Sequence, residues 1–132
     1  MAWENGLLDI GQMVSSGDMT GKQYTAVALS TANDENGAVI VAALGAAVDG
    51  VWQDNSTKAT AGAMRVHGVT KMQALSSDVA ISRGTRVVSD AAGNAYPSTA
   101  AGQHLVGISY GALSTGSSGI IPVMLTLGAI ST

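Results

Sequence analysis

Glycine and short Asn/Asp clusters punctuate this chain throughout, and over residues 1–21 glycine recurs too often for a long helix. Gly37, Gly50 and Gly62 fall at near-equal steps, and Gly93, Gly107 and Gly119 repeat the rhythm in the second half. A glycine in a helix interior costs about 1 kcal/mol relative to alanine.

The intervening segments read as strands. Tyr24-Thr25-Ala26-Val27-Ala28-Leu29 is β-compatible, and Asn33-Asp34-Glu35-Asn36-Gly37 is a turn signal because Asn, Asp and Gly tolerate positive φ. Ala38 to Ala43 offers a second strand. Arg65 to Met72 alternates apolar with polar residues apart from a step at Gly68, the period of a half-buried strand. Thr85 to Ser89 followed by Asp90-Ala91-Ala92-Gly93-Asn94 repeats strand and turn. Ile120 to Leu127 is the most apolar strand and is expected in the core; Pro122, which cannot donate to a ladder, should start it or mark an edge. Ser76-Ser77-Asp78 caps at most one helical turn before Gly84. The expected class is all-β: a compact β-sandwich or small β-barrel of about seven to nine short strands.

Two features refine that expectation. Val48-Asp49-Gly50-Val51 resembles Leu105-Val106-Gly107-Ile108, and Met64-Arg65-Val66 resembles Ile121-Pro122-Val123. Either the chain repeats itself, over about residues 23–72 and 84–130, or an abundant residue type recurs by chance. Residues 1–21 read differently from the β-domain of 22–132: Gly6, Gly11, Gly17 and Gly21 break them up, which favours an extended N-terminal arm. In that arm Trp3 has little intrachain core to enter and is an interface candidate, with Leu7, Leu8, Ile10 and Met13 beside it.

Charge is sparse where it would be needed for solubility. From Ala91 to Thr132 there is no Asp, Glu, Lys or Arg, and 63 of the 132 residues are Ala, Gly, Ser or Thr. A free monomer normally surrounds itself with mixed charge, so this surface suits a chain covered by neighbours in an assembly. The loop residues Ala112, Leu113, Ser114 and Ser117 are the candidate contacts with sister copies. The net charge of −3, with no basic cluster, argues against nucleic-acid binding. The longest apolar run, Val39 to Val48, is about half of what a membrane-spanning helix needs. No charged segment precedes an apolar one at the start, so no signal peptide is expected. There is no cysteine for a disulfide or thiolate site.

The candidate chemistry is thin. Gly107-Ile108-Ser109-Tyr110-Gly111 matches the G-x-S-x-G elbow of serine hydrolases, but both histidines, His67 and His104, precede Ser109 and no acid follows it. Those histidines lack metal-ligand spacing. Asp34 with Asn36, and Asp49 with Asp54, lack the oxygen density of a calcium loop. Asn55-Ser56-Thr57 is a glycosylation sequon without a secretory context, and Gly116-Ser117-Ser118-Gly119 has no phosphate-binding lysine after it. Trp52 reads as a core anchor in a chain without Phe, and three Tyr with two Trp give few platforms for a carbohydrate module. No catalytic residue, cofactor or metal is expected. A small hydrolase using Ser109 is the remote alternative.

Gln23-Tyr24-Thr25-Ala26-Val27, Asp49-Gly50-Val51, Ala80-Ile81-x-x-Gly84-x-x-Val87 with Asp90-x-x-Gly93, and Val106-Gly107-Ile108 resemble the head decoration proteins of tailed bacteriophages, also called capsid cement proteins. The resemblance spans about residues 20 to 130 and is one of rhythm. It implies a compact β-domain on the outer surface of an icosahedral head, made in the host cytoplasm and carried on the virion. It further implies homotrimers that clamp adjacent subunits of the major capsid protein, an arm reaching onto the capsid or a neighbouring copy, and no catalytic residues. Tail-tube, head-fibre and minor head components are the alternatives of similar composition.

Overall fold

The computed structural model describes residues 8–15, 19–29, 37–40, 43–55, 61–76, 79–98 and 100–129. Among them are ten strands: β1 (Leu8–Ser15), β2 (Ala26–Leu29), β3 (Gly37–Ile40), β4 (Gly50–Trp52), β5 (Ala61–His67), β6 (Val69–Ser76), β7 (Arg86–Ser89), β8 (Ala95–Pro97), β9 (His104–Ser109) and β10 (Ser117–Ala129). They close into two five-stranded barrels, ordered β1-β3-β2-β4-β5 and β10-β6-β8-β7-β9. The two orders are one topology used twice. In each, the first strand pairs parallel with the third and antiparallel with the fifth, and the second pairs antiparallel with the third and fourth. The fourth and fifth also pair antiparallel. The all-β expectation holds, with barrels rather than a sandwich and slightly more strands than expected.

The boundary between the units lies at Gly68, not near residues 72–84 as the glycine echo placed it. Gly68 sits at φ 93, a conformation with no penalty for glycine alone. It breaks the alternating run Arg65–Met72 into β5 of the first barrel and β6 of the second. The arm expectation also needs correction within its described part. Leu8–Ser15 is β1, paired to β5 from Leu8↔His67 to Val14↔Ala61 and to β3 at Val14↔Gly37 and Ser15↔Ala38. Glycines that forbid a helix do not forbid a strand, and this one closes the first barrel. Trp3 and Leu7 lie outside the described residues.

Each barrel has its own filling. Met19, Val27, Ala38, Trp52 and Met64 form one cluster inside the first. Ala74, Ile81, Val87, Val106, Ile121, Val123 and Leu125 belong to the second cluster, which also takes in Ala26, Val48 and Val51. Alternation along the strand explains the sharing: on β2, Val27 points into the first barrel and Ala26 out of it, and on β4 Trp52 and Val51 do the same. The wall of the first barrel thus packs on the second. Backbone bonds seal the junction, Ala26 N donating to Gly93 O (2.7 Å), Gly45 N to Ser89 O (2.9 Å) and Gln73 N to Tyr24 O (2.8 Å).

The echoing glycines have a shared cause at one pair of positions. A Cβ on Gly107 would lie 2.1 Å from Met124 O, and one on Gly50 2.7 Å from Arg65 O and 2.3 Å from Met64 Cγ. In both barrels the fourth strand crosses the fifth at that residue, leaving no space for a side chain.

Candidate interaction face

β10 is apolar at both parities, and only one parity can enter its own barrel. Ile121, Val123 and Leu125 are buried, whereas Ile120 is 55% exposed and Pro122 is also exposed. The core expectation for Ile120–Leu127 therefore holds for alternate residues only. Pro122 lies mid-strand opposite Lys71 of β6. The β9–β10 ladder begins next to it at Val123↔Ser109; the Pro122 carbonyl accepts Tyr110 N–H (2.8 Å), and the ring nitrogen has no hydrogen to return the bond.

The outward residues of β10 continue onto β6. Leu75 faces Ser118, Gln73 faces Ile120, Lys71 faces Pro122, and Val69 faces Met124. Val69, Leu75 and Ile120 are three of the large apolar side chains this molecule leaves exposed. Beyond Met124, Tyr110 donates its hydroxyl to Met124 Sδ (3.1 Å) and keeps its ring 42% exposed. The strip carries one formal charge along these two strands, Lys71.

Two concavities flank it. One, of about 350 Å³, lies by Leu75, Asn94, Ser118, Gly119 and Ile120, where β6 and β8 meet through the single pair Ala74↔Ala95. The other, of about 430 Å³, lies at the seam between the barrels and is lined by Tyr24, Gln53, Arg65, Lys71 and Pro122, with Val69 and Thr70. Its floor is tied down: Gln53 Nε2 donates to Thr70 Oγ1 and to Val51 O (2.9 Å each). Gln73 Nε2 bridges to Gln23 O (2.6 Å). At the rim the Lys71 ammonium stands 5.9 Å from the centroid of the Tyr24 ring.

Tyr24 is itself unusual. Its φ is 68, the left-handed region, and it is the one described residue other than glycine found there. The second barrel uses the same loop with Gly84 (φ 86) in that place. Tyr24 N donates to Trp52 O and Gly84 N to Ser109 O, both at 2.7 Å; Trp52 N donates to Thr25 O and Ser109 N to Thr85 O, both at 2.9 Å. Strain of this kind concentrates where a side chain has a task.

The residues singled out from sequence fall in several places. Leu8, Ile10 and Met13 are on β1, registered with His67, Met64 and Gly62. Ala112 and Ser114 are exposed, and Ser117 opens β10 with its N–H on Ser114 O (3.1 Å). Leu113 is half-buried against the second core and bridges to Ile81. Ser109 ends β9 fully buried, its hydroxyl donating to Gly111 O (2.8 Å), with no strand-to-helix turn to present it. His67 and His104 are exposed at the ends of strands in different barrels. Among the described residues no three His, Asp or Glu side chains come together. The β6–β10 face was missed as a unit; its signal was the double apolar parity of Ile120–Leu127.

No family model and no curated protein matches the chain. Among solved structures it is similar to the N base of the head fiber gp8.5 of bacteriophage phi29, with a TM-score of 0.64 at 14% identity over 91% of this chain and 94% of that one. At that identity the likeness is one of fold, and its reach takes in both barrels.

Proposed function

We propose that this chain is a structural protein of a bacteriophage particle, a decoration protein that sits on the outside of the icosahedral head and braces contacts between major capsid subunits. The observation that carries the reading is the near full-length likeness to the base of a phage head fiber. The apolar β6–β10 face and the charge-free stretch from Ala91 onward support it, because both suit a chain covered by neighbours. Sister copies meet as a homotrimer through the loop carrying Ala112, Ser114 and Ser117. Modest contacts suffice, since many copies act together on one shell. The chain performs no catalysis in this role. A base that anchors a projecting fibre is the second reading, favoured by the same likeness.

Co-sedimentation with undecorated expanded heads tests the proposal. Saturable binding is expected, and no binding under conditions where an authentic decoration protein binds overturns it. Electron microscopy of the loaded heads separates a low cap from a fibre base.

A further inference from the structure

We propose that the outer face of β6–β10 is the seat of a protein partner of different sequence, one that sets a carboxylate against Lys71 within an apolar surround. The inference rests on the head-binding reading above and names the surface and the partner chemistry that reading leaves open.

Four observations converge on Lys71. It is the single formal charge on the paired outward residues of β6 and β10, with Pro122 opposite and Ile120, Val69 and Met124 around it. Among the described residues no carboxylate lines the seam groove beside it. Its ammonium stands over the Tyr24 ring, 5.9 Å from the centroid, within cation–π reach. Tyr24 keeps a left-handed backbone at the position where the second barrel has glycine, so the ring is retained against a conformational cost. Arg65 on the groove's far wall donates to Val69 O (3.2 Å) and registers with Asp9 of β1.

A lone cation within an apolar patch is costly to bury unless the partner supplies an anion. The same face of a second copy supplies none. A two-fold contact centred here would bring Lys71 onto Lys71. Three of the chain's carboxylates also have backbone partners of their own: Asp49 accepts Leu29 N–H (2.8 Å), Asp54 accepts Ala63 N–H (2.6 Å), and Asp90 accepts Ala92 and Asn94 N–H (2.8 and 2.9 Å). A nucleic acid is disfavoured by one cation on a chain of net charge −3. An acidic side chain amid apolar residues on the head protein satisfies both halves of the face.

The test compares the full chain with Lys71→Glu and Ile120→Asp for co-sedimentation on undecorated expanded heads, with Arg83→Glu, in the exposed turn before β7, as the charge control. Lys71 and Ile120 are exposed, so unchanged melting temperatures are expected to accompany weakening by about tenfold or more for each. Arg83→Glu should bind as the unaltered chain does. Undiminished binding by Lys71→Glu overturns the inference while leaving the head-binding reading intact. Failure of the unaltered chain to bind removes that reading, and the inference with it. A self-associated species in solution that Ile120→Asp abolishes would seat a second copy on this face, and would equally overturn it.

Discussion

The two barrels share one strand order yet solve their interiors in opposite ways. The first is filled by a few large side chains, Trp52, Met64 and Met19, closing over Val27 and Ala38. The second is filled by branched aliphatics spread over many positions, among them Ile81, Val87, Val106, Ile121 and Val123. The loop hydrogen bonds that match Trp52 to Ser109 make the contrast sharp: an indole in one barrel stands where a hydroxyl stands in the other. The strand plan is set by backbone pairing and crossing glycines, and each interior need only supply enough apolar volume. A core resting on one residue should be fragile, and a distributed one tolerant.

The largest break in the comparison comes from removing residues 1–20. That deletion takes away β1 and buried Met19, leaving β3 and β5 without the strand that joins them. The second barrel keeps its counterpart strand, β6. Amide hydrogen exchange should show the first barrel's protection lost and β9–β10 protection surviving; full protection of β4 and β5 in the truncated chain would refute the closure role of β1.

Next in size is the core contrast itself. Trp52 is fully buried, and Trp52→Ala should cost about 3–5 kcal/mol in denaturant unfolding. Ser109→Ala at the matching position should cost about 1–2 kcal/mol, since its hydroxyl both donates to Gly111 O and accepts Gly111 N–H. Trp52 Nε1 is buried with no acceptor among the described residues. Trp52→Phe, which deletes that donor along with some volume, should therefore be far milder than Trp52→Ala. Comparable losses for the alanine variants at 52 and 109 would end the distinction between a concentrated and a distributed core.

Glycines supply a third, smaller contrast. Gly107→Ala drives a methyl into the Met124 carbonyl and should cost about 3 kcal/mol, since backbone cannot step aside cheaply. Gly119→Ala meets only Leu113 Cδ1 at 3.6 Å and should stay within about 0.5 kcal/mol. Equal effects would mean that the matching spacing of these glycines reflects composition, not crossing strands.

That pair also measures what was legible in the sequence. Gly50 and Gly107 signalled a real likeness between the halves because the same crossing forces both. Gly119 kept the rhythm without the cause. The turn at Asp90–Asn94 was readable because its logic is local: Asp90 Oδ1 accepts the N–H groups of Ala92 and Asn94. β1 was not, since this strand, set in a glycine-broken segment, is specified by distant partners on β3 and β5. The break at Gly68 was hidden for a related reason, as Met64 on one side and Thr70 and Met72 on the other are buried at one parity although they belong to different barrels. The interaction face depends on register between β6 and β10, a long-range fact, although the two-sided apolar pattern of β10 was in plain view.

The smallest effect bears on the one place where the barrels share a backbone conformation but not a residue type. At an ordinary position alanine is more stable than glycine, because glycine has more unfolded-state freedom to lose. At a left-handed position the order inverts, by about 1 kcal/mol. Gly84→Ala should therefore be destabilised, as at any turn glycine. The informative comparison is Tyr24→Gly against Tyr24→Ala: both remove the ring and its contact with Lys71, so their difference isolates the backbone. Tyr24→Gly is expected to melt higher than Tyr24→Ala. If alanine proves the better residue at 24, the loop carries no strain there, and the first barrel holds Tyr24 for its packing alone.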